Sequence, residues 1–215
     1  MEPPWVRSYA ATGPAGGPPG ILPAMTRGRL EAFSDAVIAI VMTIMVLELV
    51  PPHGATLDDL VPLWPVFIAY VLSFANLAIY WNNHHHLLQA AKTVSGRVLW
   101  ANMLLLFWLS LVPFATAWIG DTRFATIPMA IYGLVLLSAA FSYGFLVQAL
   151  RAAPGQTDTL ATALANDRKG RISPLIYAIA VPISFIAPLL SFGLYWFVAA
   201  MWIVPDPRIE RRIGS

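Results

Sequence analysis

A chain of 215 residues that is 58% hydrophobic and only 11% charged has too little polar surface to cover itself, so lipid must face much of it. It has no cysteine, which excludes disulfides, cysteine metal sites and cysteine nucleophiles. The formal charge of +2 and the pI near 9.1 follow from membrane orientation, as the positions of the basic residues indicate, and give no argument for nucleic acid.

Residues 1–24 hold six prolines and four glycines. That composition predicts a disordered cytoplasmic tail, and it lacks the continuous apolar core of a signal peptide. The first apolar segment spans 33–50 and stops at Pro51-Pro52. At ~1.5 Å per residue it reaches ~27 Å, close to the hydrocarbon thickness of a bilayer. The second spans 60–88, with Pro62 and Pro65 tolerated in its first turns. Its last part, Trp81-Asn82-Asn83-His84-His85-His86, is polar. The third spans 98–119 and the fourth 127–150, opened by Pro128. A polar loop at 151–171 follows. The final apolar run, 172–204, would reach ~50 Å as one helix, more than the ~30 Å core. Pro188 and Gly193 offer a turn that divides it into two short helices.

The expected fold is therefore an all-α membrane protein of six transmembrane helices. Its domains are the tail at 1–24, a transmembrane unit at 25–205 and a basic cytoplasmic tail at 206–215. With six crossings, one side of the membrane receives Arg7, Arg27, Arg29, Lys92, Arg97, Arg151, Arg168, Lys169, Arg171, Arg208, Arg211 and Arg212. The other side receives only Arg123. Basic residues collect on the cytoplasmic side, so both termini are expected there.

At the start of the first segment, Arg29-Leu30-Glu31-Ala32-Phe33-Ser34-Asp35 leads into a wholly apolar stretch. A carboxylate such as Asp35 is costly near a membrane helix unless partnered. Ser34 and Asp35 are also what an interfacial helix cap requires, so local chemistry alone leaves both readings open. The pattern R-x-x-x-F-S-D at Arg29, Phe33, Ser34 and Asp35 resembles the signature of the transmembrane-protein-175 family, potassium-permeable channels of lysosomes and bacteria. Trp81-x-x-His84 is a second match, and the similarity extends over residues 25–205.

This resemblance implies a homotetramer in membrane lipid, with a pore lined by the first helix of each subunit. It implies a hydrophobic isoleucine or leucine constriction in place of a carbonyl filter, at Ile40, with a threonine ring at Thr43. It also implies a structural network of Arg29, Asp35 and His84 that holds the first helix in register. K+ is the expected permeant ion, with no cofactor. One undoubled repeat without a targeting signal points to a prokaryotic plasma membrane.

Helical geometry is compatible with that role. At ~100° per residue, Ile40, Thr43, Ile44 and Leu47 fall within ~100° of one another, with Ala36 on the same face and Asp35 nearly opposite. Rings of Ile40, Ile44 and Leu47 gate by dewetting where they line a pore. Any buried membrane helix is equally apolar, so the stripe is not by itself diagnostic. Glu48, Asp58 and Asp59 are candidates for attracting cations at the outer mouth, although Asp58 and Asp59 read equally well as a solvated loop. The three consecutive histidines point ~100° apart, so they do not converge on one ion, and no metal site is expected.

Asn102, Ser110, Thr116, Ser138, Ser142 and Ser184 read as interhelical hydrogen-bonding groups. Trp64, Trp108, Trp118, Trp196 and Trp202 include candidate interfacial anchors. The alternative function is a proton-coupled secondary transporter that uses Asp35 and His84. No H-E-x-x-H, G-x-S-x-G or paired carboxylates on one helix of the enzyme type are found, which argues against an enzyme.

Overall fold

The computed structural model describes residues 25–154 and 168–203. The expected tails at 1–24 and 206–215 and most of the polar loop at 151–171 lie outside the described residues. Among the described residues every regular element is helical.

Helix α1 spans Arg27–Ile44 and continues into a single 3-10 turn, Met45–Glu48. It begins six residues before the expected start. Thr26 caps it by accepting from the Arg29 backbone N–H at 3.4 Å, as hydroxyl N-caps do. The Arg27 guanidinium donates to the carbonyls of Gln89 and Ala91, at 2.9 and 3.3 Å. It thereby satisfies the end of the second helix, α2 (Trp64–Ala90), so the two helices run antiparallel and the start of α1 completes the C-terminus of α2. Ser34 and Asp35 consequently lie inside α1, and the capping reading does not hold.

Two 3-10 turns, Leu57–Asp59 and Val61–Leu63, lead into α2. Pro65 occupies its first turn, where a missing N–H costs nothing. The third expected segment is divided into α3 (Gly96–Ser110) and α4 (Val112–Asp121). Pro113 causes the break, because it offers no N–H to the carbonyl of Leu109. Leu111 instead bonds to Trp108 in a tighter turn at 3.2 Å. Helix α5 spans Thr126–Arg151. The final run forms α6 (Arg168–Ile183) and α7 (Pro188–Ile203). The turn lies at 184–187, so Pro188 opens α7 and Gly193 sits within it rather than at the bend. Ser191 Oγ donates to the Ala180 carbonyl at 2.7 Å and Trp202 Nε1 to Ser173 Oγ at 2.9 Å. Bonds at both levels make α6 and α7 an antiparallel hairpin.

Among the described residues four stretches are long and apolar enough to cross a membrane: Arg27–Glu48, Leu57–Ala90, Gly96–Asp121 and Thr126–Arg151. Helix α5 packs on α3 and α6, α2 packs on α4, and α1 rests against α2 and α3. The ends sort by charge. Contacts from Arg27 to Ala91 and from Thr93 to Pro154 gather the helix ends bearing Arg27, Arg29, Lys92, Arg97 and Arg151. Trp64, Phe124 and Phe192 meet at the opposite end, which carries Arg123.

Buried polar groups pair across helices. Thr116 donates to Ser73 at 2.6 Å, and Ser73 meets the Tyr132 hydroxyl at 2.9 Å. Tyr177 reaches Asn76 at 3.4 Å. Thr116 is thus interhelical, as expected, and so is Asn102, which bonds to His84 of α2 and Ser34 of α1. Ser110, Ser142 and Ser184 instead donate to carbonyls of their own local turns, at 2.7, 2.7 and 2.6 Å, the usual alternative for a helical serine. Ser138 supplies the carbonyl that Ser142 uses.

A close backbone approach fixes Gly120. A Cβ on Gly120 of α4 would lie 2.9 Å from the Cα of Val66 on α2. Backbone cannot move aside as a side chain does, so Gly120→Ala is expected to cost about 1–3 kcal/mol. Thermal unfolding of the detergent-solubilised protein checks this, and an unchanged midpoint would count against so tight a crossing.

Candidate functional site

Helix α1 has two unlike faces. Leu30, Ser34, Ile38, Val41 and Met45 are buried against the rest of the subunit. Ala36, Ile40, Thr43, Ile44 and Leu47 are exposed, Ile40 at 56% and Leu47 at 75%. Ile40, Ile44 and Glu48 line a groove of about 550 Å³, with Ser110, Pro113 and Phe114 on its far wall. The Thr43 hydroxyl donates to the Ile40 carbonyl at 2.9 Å. Its own lone pairs therefore stay available as acceptors on the exposed face.

The 3-10 turn changes the register at the end of α1. Residues i and i+3 eclipse in 3-10 geometry, so Leu47 stacks over Ile44 and Glu48 turns further from Ile40 than continuous α-helix places it. Glu48 and Asp58 are exposed. Asp59 is engaged locally, accepting from the Thr56 hydroxyl at 2.6 Å and its backbone N–H at 2.9 Å.

Residues of the R-x-x-x-F-S-D pattern join two separate contacts with α2. Asp35 accepts from Trp81 Nε1 at 3.0 Å. Ser34 takes part in a buried chain: His84 Nε2 bonds to Asn102 Oδ1 at 2.7 Å, Asn102 Nδ2 donates to Ser34 Oγ at 2.9 Å, and Ser34 donates to the Leu30 carbonyl at 2.9 Å. This chain binds α1, α2 and α3 through groups that are almost wholly inaccessible. Among the described residues no hydrogen bond joins Asp35 to His84. The Arg29 side chain is exposed and reaches neither. Phe33 is also exposed. Asn102, the centre of the buried chain, has no place in the pattern. Its sequence signal was only a lone amide in an apolar helix.

The three histidines diverge, as their spacing requires. His84 turns to Asn102. His85 turns to α1, with Nδ1 3.0 Å from Glu31 Oε1. His86 is exposed.

Long apolar helices, charge sorted to one end and a buried interhelical polar network define a multi-pass helical membrane protein. The family described as endosomal/lysosomal potassium channel TMEM175 matches over residues 29–113, which includes the motif of α1 and Trp81 and His84 of α2. A potassium channel of Chryseobacterium sp. (strain P1-3) is 48% identical over 189 residues, 88% of this chain and 98% of the relative. A potassium channel of Chamaesiphon minutus is 31% identical over 184 residues, 80% of this chain and 91% of the relative. The crystal structure of a lysosomal potassium-selective channel TMEM175 homolog from Chamaesiphon minutus superposes with a TM-score of 0.72 at 30% identity, over 82% of this chain and 96% of that one. The chain belongs to the TMEM175 family, as a bacterial member.

Proposed function

We propose that the chain is one subunit of a homotetrameric, potassium-permeable channel. The observation that carries this reading is the two-faced α1. Its inner face is buried in the subunit, and Ala36, Ile40, Thr43, Ile44 and Leu47 are left exposed. Four copies bring that stripe around one axis. Ile40, Ile44 and Leu47 then form apolar rings that gate by dewetting, and Thr43 supplies a ring of hydroxyl oxygens to a partly dehydrated cation. Glu48, Asp58 and Asp59 raise the local cation concentration at the outer mouth.

The hairpin α6–α7, read as two further crossings beside the four long spans, and the basic residues gathered at one end support six crossings in a prokaryotic plasma membrane with both termini cytoplasmic. Relatives named as channels rather than enzymes support a passive conductor without catalytic residues or cofactors. The proposed supporting network is Ser34, Asp35, Trp81 and His84, with Phe33 and Arg29 at the cytoplasmic rim. The separation of Asp35 from His84 favours this role over a shared proton relay.

Reconstitution into liposomes with a K+ gradient tests the proposal. Flux should need no energy source and no coupled ion. Strict stoichiometric coupling to protons would replace this reading with the transporter. Asp35→Ala, which frees the indole of Trp81, should reduce tetramer recovery in size-exclusion chromatography or lower the flux. Normal assembly with normal flux would remove Asp35 from the network.

A further inference from the structure

We infer that Glu31, Asp35 and His85 form a binding site for a divalent transition-metal ion of the zinc class, at the junction of α1 and α2. Glu31 and Asp35 are four residues apart on α1, so they stand one above the other on the same face. His85 reaches them from α2. One ligand atom from each lies within 4.8 Å of the other two.

Geometry around the triad is that of held ligands rather than a loose acidic patch. Trp81 stacks on the His85 ring at 5.7 Å and 20°, and donates through Nε1 to Asp35 Oδ1 at 3.0 Å. One side chain thereby sets the orientation of two donors and leaves Asp35 Oδ2 unused by that bond. Gln89 Nε2 lies 2.8 Å from His85 Nε2. An amide N–H there donates to the ring, so the ring proton sits on Nδ1, facing Glu31. Yet Nδ1 is buried and, although 3.0 Å from Glu31 Oε1, makes no well-directed hydrogen bond. A metal ion at Nδ1 replaces that proton, and Gln89 turns its carbonyl oxygen to accept from Nε2–H. This is the outer-shell arrangement that metal-bound histidines use.

The donor set selects the ion. One imidazole nitrogen and two carboxylate oxygens suit Zn²⁺ and its first-row neighbours, whereas Ca²⁺ and Mg²⁺ seek oxygen alone. Bonds of about 2.0–2.1 Å place tetrahedral donors ~3.3 Å apart, so the triad closes by at most ~1.5 Å, within the reach of carboxylate rotamers. Solvent supplies the fourth ligand. The site is independent of the conduction proposal, since it requires only that α1 and α2 pack as they do in one subunit.

The test is Zn²⁺ titration calorimetry on the purified full chain in detergent after chelator treatment. Co²⁺ visible absorption serves as a second readout of coordination. One Zn²⁺ should bind per chain. Glu31→Gln keeps the side-chain shape and should weaken binding more than ~tenfold, His85→Ala should do the same, and Gln89→Ala should weaken it about tenfold. His86→Ala should bind as wild type. Circular dichroism and gel filtration confirm that each variant is folded. The inference is overturned if wild type binds no Zn²⁺, if Glu31→Gln binds as wild type, or if the Co²⁺ spectrum of wild type matches that of His85→Ala.

Discussion

Ile40→Asn should raise K+ flux through the reconstituted protein at least about tenfold, the effect of removing ~1.4 kcal/mol from a barrier. Ile40 stands exposed on the free stripe of α1. In the proposed tetramer an apolar ring at that level obstructs ions by excluding water, and an amide there would hold water through its own donors and acceptors. Selectivity for K+ over Na+ should weaken at the same time, because a wetted ring lets ions pass with more of their hydration. Ile38→Asn is the informative control. Ile38 is fully buried on the other face, so its amide would enter the packed subunit, lowering stability without opening a path. Equal flux in wild type and folded Ile40→Asn would remove Ile40 from the conduction path.

Asn102→Ala should destabilise the subunit by about 1–3 kcal/mol. A single interhelical hydrogen bond in a membrane is worth only about 0.6 kcal/mol on average. Asn102, however, partners both His84 and Ser34, and both are fully buried. Its removal leaves His84 Nε2 without a partner where water cannot reach it, at about 1–3 kcal/mol, and takes the incoming N–H from Ser34 Oγ, which keeps its own bond to the Leu30 carbonyl. Ser34→Ala should cost less, because Asn102 then keeps its bond to His84. A double-mutant cycle over Ser34 and Asn102, read by thermal unfolding in detergent, should give a non-additive term of about 0.5 kcal/mol or more. Strict additivity would mean that the chain does not act as a unit.

Element positions were legible where apolar length and proline set them. The α6–α7 division and the start of α5 come from that signal. Boundaries fixed by polar contacts were not. Helix α1 starts at Arg27 because Thr26 caps it and because Arg27 serves carbonyls at the end of α2. An apolar count sees only the lipid-embedded part, so it placed the start at residue 33. The break at Leu111 was also missed, although Pro113 sits in the middle of the expected third segment, because hydropathy runs through it unbroken. That Ile40, Thr43, Ile44 and Leu47 share one face of α1 follows from helical periodicity; that this face is the exposed one does not, because the helix is apolar all round. The partners of the motif were not legible either. His84 pairs with Asn102 from a helix eighteen residues on, and no spacing rule links an imidazole to an amide across a loop. Arg29 was placed beside Asp35 by resemblance, and its side chain points to the surface instead.

Winding at the end of α1 has a mechanical consequence. Between Ile44 and Leu47 the chain advances a full turn in 3-10 geometry but falls ~60° short of one in α geometry. Rewinding Met45–Glu48 by a single hydrogen-bond register therefore swings the Leu47 isobutyl group out of the Ile44 column and draws it back by ~1.5 Å. The body of the helix, pinned at its other end by Arg27 and Ser34, need not translate or tilt for that side chain to change its station.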